Sequence, residues 1–293
     1  MTTTWGLVGG PFSAAAHWPG QEKAPAALRA AGLVEGLRSA GARLDDYGDL
    51  PVVRWQAHPS ERTPHNVTQV RQLLEEASGR VGEIIAAGRV PLVVGGECTL
   101  AIALVSAAVR AGQDVGLMYL DGGQDLMIPT DHPDEPILDG MGVAHLLDLP
   151  GTVDQIAGLG PRRPLLSPDR VCFFGYGDHE EDIHGLVPAP RFPASTVAAA
   201  PEEAAEQALA ELTATTTEFV VHVDVDVLDF FTIPAADVPQ HGRGLELEAA
   251  MSALRVFVGH PGFRGLTFCE FNPDHGEPDT ADRLVHGLVS ALT

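Results

Sequence analysis

The chain has 293 residues, 45% hydrophobic and 20% charged, an ordinary globular composition with ample core material and no bias toward disorder. Asp plus Glu outnumber Lys plus Arg by 40 to 18; the formal charge of −22 repels phosphate backbones and anionic lipid, so neither nucleic acid nor membrane is expected as a partner. The acidic excess suits a cationic substrate or divalent metals instead, although it can also be no more than a soluble surface. No run of about 18 apolar residues is present to span a bilayer, and the N-terminus has no basic stretch ahead of its glycine-broken apolar run. Three widely spaced cysteines, Cys98, Cys172 and Cys269, form no C-x-x-C pair, and the expected setting is cytoplasmic.

In chain order, residues 4–9 read as a first strand, followed by a Gly/Pro-rich loop and a short helix over 24–33 with Pro25 near its start and Gly32 near its end. Residues 43–48 read as a second strand. From 66 to 87, Val67, Val70, Leu73, Leu74, Val81, Ile84 and Ile85 recur at helical spacing, and Gly88 closes the helix. Short apolar runs then end in polar, glycine-rich turns: 90–94 before Gly95-Gly96-Glu97-Cys98-Thr99, 115–120 before Asp121-Gly122-Gly123-Gln124-Asp125, and 170–174 before a loop with Asp178 and Glu180. Helices follow the first of these runs to about Gly112, lead from Asp139 through Leu149, and occupy 201–213, 246–258 and the end of the chain from Thr280. Between them lie strands at 220–229 and 265–271. This alternation implies βαβ units, and hence an α/β fold with three layers, α/β/α, around a mostly parallel sheet. With no internal repeat or linker, residues 1–293 are expected to form one domain.

The stretch Val220 to Asp229 alternates valine with polar residues, which as a strand would put His222, Asp224 and Asp226 on one face. Such a strand at a solvated edge could keep its acids in water, but a central parallel strand is buried on both sides. Ligands of open α/β sheets gather at the C-terminal strand ends, where this chain collects Glu97, Cys98, Asp121, Asp125, Asp178, Glu180, Asp224, Asp226 and Glu270. So many acids on one rim repel one another unless cations sit between them, and a divalent metal cluster answers that repulsion.

These stretches resemble the motifs of the arginase/agmatinase (ureohydrolase) family. Gly95-Gly96-Glu97-Cys98-Thr99 resembles G-G-D-H-S, Asp121 to Asp125 resembles D-A-H-x-D, and His222 to Asp229 resembles S-x-D-x-D-x-x-D-P. Asp139-Gly140-Met141-Gly142 is similar to H-G-M-P, Glu270-Phe271-Asn272-Pro273 to E-x-N-P, and the Ala24-Pro25 helix to the early G-P-x-x-L-R helix. The motifs keep the family's order over nearly the whole chain. The resemblance implies an arginase-like fold in which two manganese ions share a hydroxide that attacks a guanidinium carbon. It implies Asp121 and Asp224 as ligands of both metals, Asp125 as a ligand that also orients the hydroxide, Asp226 as a ligand of the second metal, and Glu270 as the group facing the guanidinium. Homo-oligomers are known in the family.

The departures from the pattern bear on the substrate. Cys98 replaces a metal-binding histidine, Gly123 replaces a second one and weakens the second metal site, Asp139 replaces a histidine that moves protons, and Met127 stands where an asparagine meets the α-carboxylate. A coordination position freed at Gly123 suits an N-hydroxyguanidine. The expected activity is therefore metal-dependent hydrolysis of Nω-hydroxy-L-arginine to hydroxyurea and ornithine, with Glu180 facing the substrate's ammonium group. Another guanidino or formimino compound, or a catalytically silent binding subunit, are the alternatives.

Blander roles stay open for several of these residues. Cys98 could be a small buried residue, as Cys172 and Cys269 are expected to be within their strands. Asp139 could be a helix N-cap, and His222 is expected to be a core histidine holding a neighbouring carboxylate. The run His179 to Asp182 reads most simply as a solvated loop, His132 has nothing to fix it over the site, and Glu246 suits the start of a helix.

Overall fold

In the computed structural model, which describes residues 3–58, 60, 64–134, 136–177, 182 and 184–293, the alternating elements form one eight-stranded sheet. The strands are β1 (Thr4–Gly10), β2 (Arg43–Asp49), β3 (Val90–Gly95), β4 (Val115–Leu120), β5 (Val171–Phe174), β6 (Arg191–Phe192), β7 (Glu218–Asp224) and β8 (Phe263–Cys269). They pair in the order β2-β1-β3-β8-β7-β4-β5-β6, and every pairing is parallel. The helices are α1 (Ala24–Ala30), α2 (Leu33–Ser39), α3 (Val67–Ala86), α4 (Leu100–Arg110), α5 (Gly142–Leu146), α6 (Asp154–Ala157), α7 (Ala194–Ala199), α8 (Pro201–Thr213), α9 (Leu247–Gly259) and α10 (Thr280–Leu292).

Side chains alternate across each strand, so the sheet divides the core in two. Met118, Leu120, Val221, Val223, Leu266 and Phe268 face one side, where they pack with α1, α2 and α7 to α10. Leu117, Tyr119 and Val220 face the other, against α3 to α6. Burial on both faces explains why the strands read as near-continuous apolar runs. The long helix α3 follows its apolar spacing closely, burying Val67, Val70, Leu73, Leu74, Ala77, Val81 and Ile84 on one stripe.

Three local expectations are corrected. The helix expected over 24–33 is two, because Gly32 adopts a left-handed φ of 87° and restarts the chain as α2. The helix expected through Leu149 ends at Leu146. Most consequential for the site, β7 stops at Asp224 rather than running to 229. Residues Val225–Val227 form a turn of 3-10 helix, whose start is held by Asp226 N–H donating to Asp224 Oδ1 at 2.7 Å. Asp226 therefore reaches the site through a capped turn and not through strand alternation.

The glycine pair at the end of β3 has a steric cause. A Cβ at Gly96 would lie 1.6 Å from the backbone oxygen of Phe12, and one at Gly95 would lie 2.2 Å from the Leu100 side chain. Gly96 N–H in turn donates to Gly10 O at 2.9 Å, so the loops following β1 and β3 run in direct backbone contact. The strand order places β3, β8, β7 and β4 side by side at the centre of the sheet, and their C-terminal ends converge on one pocket.

Candidate metal centre

Register brings the acids together. Asp224 is the partner of Cys269 on β8, and Val223 is the partner of Leu120 on β4, so Asp121, Asp224 and Glu270 leave three adjacent strands at one level. They line a cavity of about 320 Å3 with Cys98, Gly123, Asp125, Met127, Asp139 and Asp226. A volume of that size is what a small organic substrate requires. Cys98, Asp121, Gly123, Asp125, Met127, Asp139, Asp224, Asp226 and Glu270 therefore reach one cavity, whereas Glu97, counted with the rim acids in the sequence, does not. The expectations for Asp178, His179, Glu180 and Glu181 lie outside the described residues.

Backbone donors and buried side chains aim these groups. Gly122 N–H donates to Asp226 Oδ1 at 2.7 Å, and Gly123 N–H donates to Asp121 Oδ1 at 2.6 Å. Cys98 N–H is shared by Glu270 Oε1 at 2.7 Å and Asp139 Oδ1 at 2.9 Å. Asp139 thus anchors the loop after β3, and its side chain caps no helix. Asp125 and Glu270 both hold left-handed backbone angles, with φ of 47° and 67°, which are uncommon for side-chain-bearing residues and turn these carboxylates into the cavity.

Sequence reasoning missed two supporting residues. Tyr119 donates its hydroxyl to Asp125 Oδ2, and Gln21, from the loop after β1, donates its side-chain amide to Glu270 Oε2. In the sequence Tyr119 is only one member of the apolar run 115–120. Glu97 proves structural: it is fully buried, accepting from Ala15 N–H and Thr99 Oγ1 at 2.8 Å each, and lies outside the cavity lining. His222 is buried in the core, with its Nε2 closer to the Cys98 thiol, at 3.1 Å, than to the neighbouring carboxylate oxygen Asp121 Oδ2, at 4.0 Å.

Burial pushes the carboxyls of Asp125, Asp224, Asp226 and Glu270 well above the usual range, and their mutual repulsion adds to it. The Cys98 thiol is pushed up by burial first and then by Asp224, Glu270 and Asp121. A cluster whose members all resist ionisation until positive charge arrives fits divalent cations. Donor atoms within 4.8 Å of one another form three sets: Asp121, Asp224 and Asp226; Cys98, Asp224 and Glu270; and Cys98, Asp121 and His222. Asp125 belongs to none of them; it lines the same cavity with its Oδ2 held by Tyr119.

Fold and donor chemistry together define an α/β/α protein equipped to hold divalent cations at its central strand ends. The chain matches the family model described as Arginase family over residues 3–293, and it belongs to that family. It is 28% identical to human arginase-1 over 98% of this chain and 91% of that protein. The arginase from Bacillus caldovelox superposes with a TM-score of 0.87 at 22% identity, covering 99% of this chain and 98% of that one. Entamoeba histolytica arginase, solved with L-ornithine, gives a TM-score of 0.87 at 17% identity, covering 100% and 99%. The family's enzymes are amidinohydrolases that cleave C–N bonds of guanidino compounds at a binuclear metal centre, and this chain is an arginase-family hydrolase for substrates of that class. No helix among the described residues is long and apolar enough to cross a membrane.

Proposed function

We propose that the protein hydrolyses the C–N bond of Nω-hydroxy-L-arginine, releasing hydroxyurea and ornithine. The observation that carries this reading is the space beside Asp121. A Cβ built on Gly123 meets only Asp121 Oδ1, at 3.5 Å, an ordinary contact, so the position has room for a ligand atom and supplies none. An N-hydroxyguanidine brings an oxygen that can occupy such a place.

Cys98, Asp121, Asp125, Asp224 and Asp226 are the residues that would hold a pair of manganese ions. Bound divalent ions make water acidic enough to serve as a nucleophile near neutral pH. The protein's own groups do the rest. Glu270, fixed by Gln21 and Cys98 N–H, accepts hydrogen bonds from the guanidinium and presents its carbon to the attacking water. Asp125, held through one oxygen by Tyr119, orients that water with the other. Asp139, whose proton affinity burial raises, protonates the leaving nitrogen as the C–N bond breaks. Met127 and Gly123 shape the substrate wall.

One observation favours a second substrate class. Among the described residues no Lys or Arg lines the cavity, and His17 and His132 are the lining groups that could offer positive charge to an α-carboxylate. A guanidino compound lacking that carboxylate, such as agmatine, fits the acidic lining equally well. A turnover panel of arginine, Nω-hydroxy-L-arginine, agmatine and guanidino acids, assayed for urea and hydroxyurea after manganese loading, decides between them. Fastest turnover of Nω-hydroxy-L-arginine supports the proposal. No turnover of any of them by metal-loaded protein would leave a silent binding subunit.

A further inference from the structure

Among the described residues, His222 is the one imidazole in the sets of donor atoms that could hold a metal. Its position follows from sheet register. On β4 its partner is Tyr119, and the two rings stack at 4.6 Å with an interplanar angle of 17°. On β8 its partner is Thr267, whose Oγ1 lies 2.7 Å from His222 Nδ1. With Nδ1–H donating to that hydroxyl, the Nε2 lone pair points at Cys98 Sγ and Asp121 Oδ2. A hydrogen bond that fixes the tautomer and the ring is the usual support of a metal-binding histidine. The ring is wholly buried, so no bulk water competes for Nε2.

The three donor atoms form a triangle with edges of 3.1 Å (Sγ to Nε2), 3.9 Å (Sγ to Oδ2) and 4.0 Å (Nε2 to Oδ2). The point equidistant from them lies about 2.1 Å from each, the length of a bond from a first-row metal ion to sulfur, nitrogen or oxygen. Asp121 also belongs to the all-carboxylate set with Asp224 and Asp226, so it stands between two groups of unlike donors.

Building on the reading of this pocket as a metal centre, we infer that His222 is a metal ligand and that the two metal sites differ in kind. Cys98, His222 and Asp121 form a sulfur, nitrogen and oxygen site that selects zinc, cobalt or ferrous iron. Asp121, Asp224 and Asp226 form an oxygen site suited to manganese or magnesium. Softer donors favour the former ions and hard carboxylates the latter, so two unlike ions, with Asp121 common to both donor sets, would be the resting occupancy.

Metal binding tests this on the full chain, independently of turnover. The protein, stripped and equilibrated with zinc plus excess manganese, is analysed for metal content; a second sample takes one equivalent of cobalt. Expected are one zinc that manganese does not displace, a sulfur-to-cobalt charge-transfer band, and imidazole nitrogen coupling in pulsed EPR. The coupling persists in the His17→Ala/His132→Ala double variant and disappears in His222→Ala. Thr267→Val, a milder change should His222→Ala fail to fold, lowers cobalt affinity about 10–100-fold while the band remains. Two bound manganese ions with no preference for zinc, and no imidazole coupling in the unmodified protein, would overturn the inference and leave the proposed hydrolase standing. Absence of any bound metal would remove both.

Discussion

Cys98 Sγ and His222 Nε2 lie 3.1 Å apart although 124 positions separate the two residues in the chain. The thiol comes from the loop after β3 and the imidazole from within β7, two strands that β8 keeps from pairing with each other. Their meeting places the sulfur on the floor of the pocket, between Asp121 and Asp224, and Gly123 lies on the wall beside Asp121.

The opening at Gly123 should set substrate preference. Gly123→His has room at its Cβ and would add an imidazole beside Asp121. We expect it to tighten binding of the second metal by about tenfold or more. The ratio of kcat/KM for arginine to that for Nω-hydroxy-L-arginine should rise with it. An unchanged ratio in a variant that binds the second metal more tightly would remove Gly123 as the determinant.

Removal of the negative charge facing the guanidinium should be costly. Glu270→Gln keeps the shape of the side chain but exchanges a charge-assisted hydrogen bond for a neutral one, a difference of about 1–1.5 kcal/mol, or about 5–12-fold in kcat/KM. Gln21→Ala releases one oxygen of the same carboxylate and leaves its charge, so a smaller loss is expected. Equal losses in the two variants would mean that placement matters more than charge.

Backbone proximity makes Gly96 irreplaceable. A methyl group 1.6 Å from the Phe12 oxygen forces the β1 and β3 loops apart. Gly96→Ala should therefore lose about 3 kcal/mol or more in denaturant unfolding. Gly79→Ala, whose Cβ meets nothing within 4 Å in the middle of α3, should be neutral or stabilising.

Acid stability should carry the mark of His145. The ring is buried in α5, with Nδ1 at 2.7 Å from Met141 O and Nε2 accepting from Val153 N–H at 3.2 Å. Burial lowers its pKa from 6.5 to about 4. The unfolded chain therefore takes up the proton first, so the stabilisation is complete above pH 6.5 and is lost as pH falls toward 4. The full loss is about 3 kcal/mol. Unfolding of the unmodified protein and of His145→Gln, compared across that window, should show a flatter pH dependence in the variant.

Much of the framework is local and therefore legible in sequence. Helical periodicity locates the long helix α3 almost to the residue, since it depends on which side chains one face must bury, and the strands read at 4–9 and 43–48 match β1 and β2 to within a residue. The two-residue strand β6 and the short helices α6 and α7 escaped, being too brief to carry a period. The acids at strand ends were legible because a parallel α/β sheet presents those ends on one rim, and the resemblance to arginase motifs sorted them further.

What the sequence by itself determined is a set of candidate site residues: four aspartates, a glutamate and a cysteine, in the order of the family's motifs, with Gly123 and Cys98 as departures. Tertiary structure alone decided how they are grouped. Strand order put β3, β8, β7 and β4 side by side, an arrangement that chain order hides. Register then set His222 between Tyr119 and Thr267, and a turn rather than a strand delivered Asp226. Periodicity could give His222 and Asp224 a common face but could not say which atom His222 would meet. That depends on a loop more than a hundred residues away, and long-range packing, not local propensity, holds the loop there.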